Sequence, residues 1–328
     1  MSAGRRVVAA WLLVLTGMVG VMVLLGGLTR LTGSGLSMVE WQPLTLLPPL
    51  NEAAWQQAFA QYRASPQYQL VNAGMTLDGF RGIFWLEYIH RLWGRLIGAA
   101  FLLPFVVFVA RGWITRRQIP RLALLFALGG LQGLLGWAMV KSGLAARPEV
   151  SHLRLAAHLL AALLIEGALL WTALDWLRSR RTGGSSLSRR LLALLGLVGL
   201  TIGAGALVAG LHAGLIYNTV PLMGGRLIPV EAFDLSPLWR NAFDNIALVQ
   251  FDHRLLAVLT WSAAVALWLW ARRRVLPPRL RLAVGLVPLA ASLQAGLGIA
   301  TLLLVVPLPL AAAHQAGAFV LFSVVLWA

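Results

Sequence analysis

Four of the six histidines stand where pairs of metal ligands would be needed. His90, His158, His253 and His314 fall at matched positions of an internal repeat. The stretch EYIHR at 87–91 matches QFDHR at 250–254, LQGLLG at 131–136 matches LQAGLG at 293–298, and AAH at 156–158 matches AAH at 312–314. Each histidine lies in a long apolar run, a few residues from one end, roughly 5–10 Å deep at helical rise. A single intramembrane histidine is accounted for by an interhelical hydrogen bond. Four at duplicated sites and one depth point instead to function, because ionisable groups are costly there. Two neutral imidazoles facing each other are what a six-coordinate haem iron requires. Interhelical hydrogen bonding and another metal are the alternatives. Zinc or a di-iron centre would want more carboxylates or a third histidine. Small neighbours suit a flat macrocycle: Gly94 and Gly98 follow His90, Ala257 follows His253, and Gly136 and Gly298 follow Gln132 and Gln294 by one turn. The same small residues also suit close helix packing.

Glu87 precedes His90 by three residues, on the same helical face. Its counterpart before His253 is Gln250. A buried carboxylate is costly unless it is used. An amide in the duplicate therefore suggests proton chemistry in the first half alone, with Glu87 as a desolvated general acid or base. An ion pair with Arg91 or Arg95 is the structural alternative. Arg91 and Arg254 each follow a histidine, and would meet a propionate at a haem edge or snorkel to the interface. His152 and His212 read as interfacial, with His212 matched to Thr29. Asp252, Arg154 and the mid-span Glu166 receive no role.

The elements that position these residues follow from composition. Of 328 residues, 59% are hydrophobic and 12% charged, and mean hydropathy is +0.79. A soluble domain carries about 25% charged residues, so this chain belongs in a bilayer. Runs long enough to span occur at 7–28, 83–110, 122–140, 153–176, 191–211, 246–270, 282–304 and 311–328. The first lacks a small-x-small cleavage site and reads as an uncleaved helix. The second exceeds a bilayer, so its outer end projects or tilts. The last stops at Ala328 without a polar tail, the pattern of a chain cut short. The stretch VGVMVLLGGL at 19–28 pairs with IGAGALVAGL at 202–211, which puts most of the length change in the first outer loop.

The fold class that follows is an all-α integral membrane protein. Its eight helices form two tandem four-helix bundles, 1–182 and 183–328, related by a pseudo-twofold axis along the membrane normal. Segments 1–6, 111–121, 177–190 and 271–281 hold sixteen arginines and no acid; the other connections balance. The positive-inside rule places both termini in the cytoplasm. The net charge of +16 is then topology and contact with membrane lipid, and nucleic acid is excluded as a partner. The absence of cysteine excludes disulfides, iron–sulfur clusters and thiolate ligation. In the long outer segment 29–82, Asn51 caps a short helix with Trp55, Phe59 and Tyr62 on one face, lying on the membrane or lidding a cavity.

The stretches GGLTRLTGSGLSMVEWQP at 26–43, SPQYQLVNAGMTLDGFRGIFWLEYIHRLWGR at 65–95, AGLHAGLIYNTVPLMGG at 209–225 and FDHRLLA at 251–257 carry a family resemblance. The chain resembles haem A synthase, in the branch of mitochondria and related bacteria, over nearly its full length. The resemblance implies a bacterial inner-membrane enzyme that oxidises the C8 methyl group of haem O to a formyl group by two successive hydroxylations, giving haem A for terminal oxidases. It implies substrate haem O between His90 and His158, haem b as cofactor between His253 and His314, and Glu87 as the essential acid, with both haem sites near the periplasmic side. Partners consistent with it are haem O synthase, a quinol or ferredoxin-type electron donor, and a second copy of the chain. The cysteine pair that some members carry in the first outer loop is missing here. The competing readings are a dihaem b-type electron carrier without chemistry on haem, and a haem transporter.

Overall fold

A computed structural model describes residues 3–41, 47–145, 148–177 and 186–328. Arg147, Arg178, Arg180 and Arg181, and the Gln42–Pro43 end of the first family motif, lie outside the described residues. Within them the regular elements are helical, apart from an isolated bridge between Met223 and Arg226. Eight helices are long and apolar enough to cross a membrane. These are α1 (Ala3–Leu31), α4 (Leu77–Ala110), α5 (Ile119–Ala145), α6 (His152–Leu177), α7 (Ser186–Gly210), α9 (Ile246–Ala271), α10 (Pro278–Leu303) and α11 (Leu308–Trp327). Three short helices, α2 (Glu52–Arg63), α3 (Pro66–Leu70) and α8 (Asn241–Asp244), lie in the two long connections. The protein is an all-α, multi-pass membrane protein. Every expected span has its helix, and most helices outrun the apolar window by a turn or less.

The chain forms two compact units. In the first, Gly17–His158, α4 is 34 residues long, about 50 Å at helical rise against about 30 Å of hydrocarbon. Its surplus is the platform for α2. Asn51 Oδ1 accepts from the Ala54 N–H at 2.9 Å, fixing the start of α2. Trp55, Phe59 and Tyr62 then bury one face against Phe80, Phe84 and Tyr88 of α4. Tyr62 is fully buried and its hydroxyl is tied off: it donates to Gln67 Oε1 at 3.0 Å and accepts from Asn72 Nδ2 at 2.7 Å. Gln67 Nε2 in turn donates to the Gly33 carbonyl at 2.8 Å. The expected outer helix is thus a clip on the projecting end of α4, held through α3 to the turn that follows α1.

The second unit comprises Met1–Thr16 and Leu159–Ala328. In it α7 packs on α9, α9 on α10, α10 on α11 and α11 back on α7, closing a ring of four helices. Polar contacts between neighbours include Thr201 with Thr260 at 2.7 Å, and the Trp261 indole N–H with Ser292 Oγ at 3.0 Å. Arg5 donates to the Trp176 and Asp175 carbonyls, satisfying the C-terminal end of α6. Glu166, unassigned by the sequence, faces α11 and accepts from Ser323 Oγ at 2.5 Å.

Candidate functional site

Each of the four histidines is backed by a glycine on a neighbouring helix. A Cβ on Gly26 of α1 would lie 3.2 Å from His90 Nε2. One on Gly136 of α5 would lie 3.0 Å from His158 Cε1. The corresponding distances are 2.9 Å from Gly205 of α7 to His253 Cε1 and 2.7 Å from Gly298 of α10 to His314 Cε1. A Cβ at Gly205 or Gly298 would force a shift, and one at Gly26 or Gly136 would require its ring to give by a few tenths of an ångström. Gly136 and Gly298 were legible from the sequence, one turn beyond Gln132 and Gln294. Gly26 and Gly205 were not. Gly94, expected to make room for a macrocycle, instead receives Met22 Cε, 3.1 Å from where its Cβ would be.

Two of the four histidines face each other directly. The rings of His253 and His314 are 6.3 Å apart between centroids, with their planes at 84°. An imidazole bonds a first-row metal at about 2 Å through one nitrogen, so two rings across one iron have centroids roughly 6 Å apart. His253 Nδ1 lies 3.1 Å from the Thr201 carbonyl. A proton held there leaves Nε2 as the ligand atom. Gln132 Nε2 donates to the His158 carbonyl at 2.7 Å, and Gln294 Nε2 donates to the His314 carbonyl at 2.8 Å. The Oε1 atoms of both glutamines and His158 Nδ1 are buried without a partner. Paired neutral imidazoles, glycine backing and unspent acceptors fit haem iron. Among the described residues no three His, Asp or Glu side chains gather as a zinc or di-iron ligand set would.

Glu87 makes the ion pair with Arg91 that the sequence offered as the structural alternative. Its Oε1 pairs with Arg91 Nη2 at 2.6 Å, and its Oε2 accepts from Ser37 Oγ at 2.7 Å and the Met38 N–H at 2.8 Å. Arg91 donates onward to the Met38 and Glu40 carbonyls. The other half repeats the device with reversed polarity. Gln250 Nε2 donates to the Ala213 and Ile216 carbonyls, its Oε1 accepts from Arg254, and Arg254 donates to the Tyr217 and Thr219 carbonyls. A carboxylate stands where the turn presents donors, and an amide where the turn presents acceptors. Both arginines bind their own turn, so the choice between snorkelling and a propionate resolves first into loop anchoring.

These contacts also correct the repeat in the first helix. Gly26 corresponds to Gly205, Gly33 to His212, Met38 to Tyr217 and Glu40 to Thr219, all at one offset, four residues short of the 183 read from 19–28 and 202–211. His212 therefore answers to Gly33 rather than Thr29. Both occupy the left-handed region (φ 53° and 66°) immediately before a 3-10 turn, Ala213–Leu215 and Ser34–Leu36.

A family model described as cytochrome oxidase assembly protein, COX15-CtaA, matches residues 9–326. The chain is 51% identical to "Heme A synthase" of Parvibaculum lavamentivorans, over 99% of this chain and 94% of that protein. It is 52% identical to "Heme A synthase" of Paramagnetospirillum magneticum, over 100% and 94%. Its identity to "Heme A synthase COX15" of Bos taurus is 46%, over 99% and 82%.

Proposed function

The chain belongs to the haem A synthase family of cytochrome oxidase assembly proteins, and from that premise we propose that it oxidises the C8 methyl group of haem O to a formyl group by two successive hydroxylations. The observation that carries this reading is the fourfold placement of a histidine against a glycine, two per half. In this assignment residues 1–182 and 183–328 are tandem bundles. His90 and His158 hold the substrate iron, and His253 and His314 hold haem b. Bound there, haem b supplies a redox centre through which electrons reach the substrate.

The chain's own residues bind, orient and move protons. The glycines fix how deeply each ring sits. The Thr201 carbonyl orients the His253 ring and Gln294 the His314 ring, each through Nδ1, while Gln132 holds the His158 backbone. Glu87 is the acid–base group in this assignment, held in place by Arg91, Ser37 and the Met38 N–H. The apolar lipid-facing helices leave the farnesyl tail of haem O in a medium it prefers. Both termini lie in the cytoplasm of a bacterial inner membrane, with the haem sites toward the periplasm. Haem O synthase is the upstream partner, a quinol or ferredoxin-type protein the electron donor, and a homo-oligomer is compatible with the exposed apolar helix faces.

The matched loop polarity gives Glu87 and Gln250 a structural account, and this favours keeping a second reading, the dihaem b-type electron carrier. Extraction of the haems from protein made in a host that synthesises haem O separates the two. Haem b together with haem O, its hydroxylated form or haem A is the expected result. Two haem b per chain, with haem O available, would overturn the synthase assignment and leave the carrier.

A further inference from the structure

A cleft of about 250 Å³ opens between the turn after α1, α4 and α5. It is lined by Glu40 and Trp41 from the turn after α1, Arg91 of α4, and Trp137, Val140 and Lys141 of α5. Trp137, Val140 and Lys141 follow Gly136, the glycine that backs His158, and Arg91 follows His90. The cleft therefore begins one turn beyond the histidines, toward the C-terminal end of α5. It falls below the roughly 300–1,000 Å³ that takes up a whole drug-sized ligand, so it suits one edge of a molecule rather than all of it.

The lining is aromatic and cationic. The Trp41 and Trp137 rings lie 6.1 Å apart at 51°. Lys141 Nζ stands 5.2 Å from the Trp137 ring, and the Arg91 guanidinium 6.0 Å from Trp41. Arg91 spends its donors on Glu87, Met38 and Glu40, but keeps its positive field. Lys141 meets no hydrogen-bonding partner among the described residues. The Glu40 carboxylate, also at the cleft wall, accepts from Gln61 Nε2 at 2.6 Å. One half alone has this cleft chemistry. At the offset that relates Gln132 to Gln294, Trp137 answers to Ile299 and Lys141 to Leu303, while Arg91 is kept as Arg254.

We propose that the Trp41–Trp137–Lys141 cleft receives the carboxylate-bearing edge of the porphyrin substrate, with Lys141 as the donor that selects a free propionate. This rests on the assignment of substrate to the His90–His158 half. Lys141 is a binding and orienting residue: by fixing which edge of the macrocycle faces the cleft, it fixes which methyl group is presented for oxidation.

The test uses full-length protein loaded with haem b and titrated with haem O or with haem O dimethyl ester, followed by Soret absorbance. Esterification removes both charges and leaves iron, ring and tail unchanged. For an exposed ammonium the expected preference for the free acid is about fivefold, shrinking with added salt. Lys141→Leu, the residue of the other half, is expected to abolish that preference by weakening haem O alone, and Lys141→Arg to retain it. Equal loss for acid and ester, or no loss for either, overturns the proposal. So does a preference that vanishes in nanodiscs containing phosphatidylglycerol but survives in phosphatidylcholine, since the cleft would then be an anionic lipid site. If unmodified protein binds no haem O beyond its haem b, or if His158→Ala leaves haem O binding intact, the underlying assignment fails instead, and the two failures are told apart.

Discussion

The Glu87–Arg91 pair shows what a single substitution in a repeat means once its surroundings are known. The difference from Gln250 was legible in the sequence, and so was the approach of His253 to His314. The polarity of the facing turns was not, because backbone donors and acceptors leave no mark on residue type. Glu87→Gln turns an amide toward Ser37 Oγ and the Met38 N–H and leaves Arg91 without its counter-charge. Breaking a buried pair in this way costs about 3 kcal/mol. The expected outcome is faster hydrogen exchange at Met38, a lower thermal midpoint, and loss of product formation with both haems retained. If bound haem is lost along with the Met38 protection, the side chain holds the turn and no more. The reverse change, Gln250→Glu, aims a carboxylate at the Ala213 and Ile216 carbonyls. It is expected to destabilise the second unit comparably without touching the first, read by exchange at residues 213–219.

At the scale of elements, two contacts decide geometry. Helix propensity favours alanine over glycine by about 1 kcal/mol, so Gly136→Ala and Gly298→Ala would stabilise an isolated helix. Here the added methyl would sit 3.0 and 2.7 Å from a histidine carbon. Something must move, and the ring is what moves. Haem affinity at the affected half is expected to fall about tenfold or more, as for other lost supports of a metal ligand. Gly133→Ala on α5 and Gly296→Ala on α10 meet nothing within 4 Å and serve as matched controls. Should the controls lose haem equally, glycine is acting through helix flexibility rather than contact. The α2 clip offers a pH handle. Burial of Tyr62 pushes its hydroxyl above the usual value near 10, with the Asn72 hydrogen bond opposing. The neutral form is the one held in the fold, so its contribution is complete below about pH 10 and is lost as pH rises through the folded value. Tyrosinate absorbance and Trp55 fluorescence should change together in alkali, and Tyr62→Phe should remove that step. The Asn51 cap and the spacing of Trp55, Phe59 and Tyr62 made this helix legible. Its docking on α4 could be read only as far as the surplus length of that span.

For the whole molecule, the eight spans followed from composition because a bilayer admits few ways to satisfy a backbone. The register of the repeat followed less securely. A four-residue slip along α1 returns to nearly the same helical face, and runs of Gly, Leu, Val and Ala look alike one turn apart. Gly26 and Gly205 were therefore missed until the turns after α1 and α7 supplied a second anchor. Orientation rests on charge alone. Arginines crowd the connections at 111–121, 177–190 and 271–281, whereas 212–245 holds two arginines against three acidic residues. The chain has no cysteine, so one introduced thiol reports its side of the membrane without background. Val275, between α9 and α10, is 99% exposed, and Leu227, between α7 and α8, is 67% exposed. Neither has a contact that a smaller side chain would spoil. With a membrane-impermeant maleimide, Leu227→Cys should label in intact spheroplasts and Val275→Cys only after lysis. The opposite pattern would invert the protein, place the Lys141 cleft on the cytoplasmic face, and require the electron donor to approach from the other side. Labelling of both before lysis would mean that α9 and α10 do not cross as a pair, and the ring of α7, α9, α10 and α11 could not then be a membrane bundle. The expected asymmetry follows from electrostatics, since each arginine near an anionic cytoplasmic leaflet contributes about 1 kcal/mol and the clusters act together.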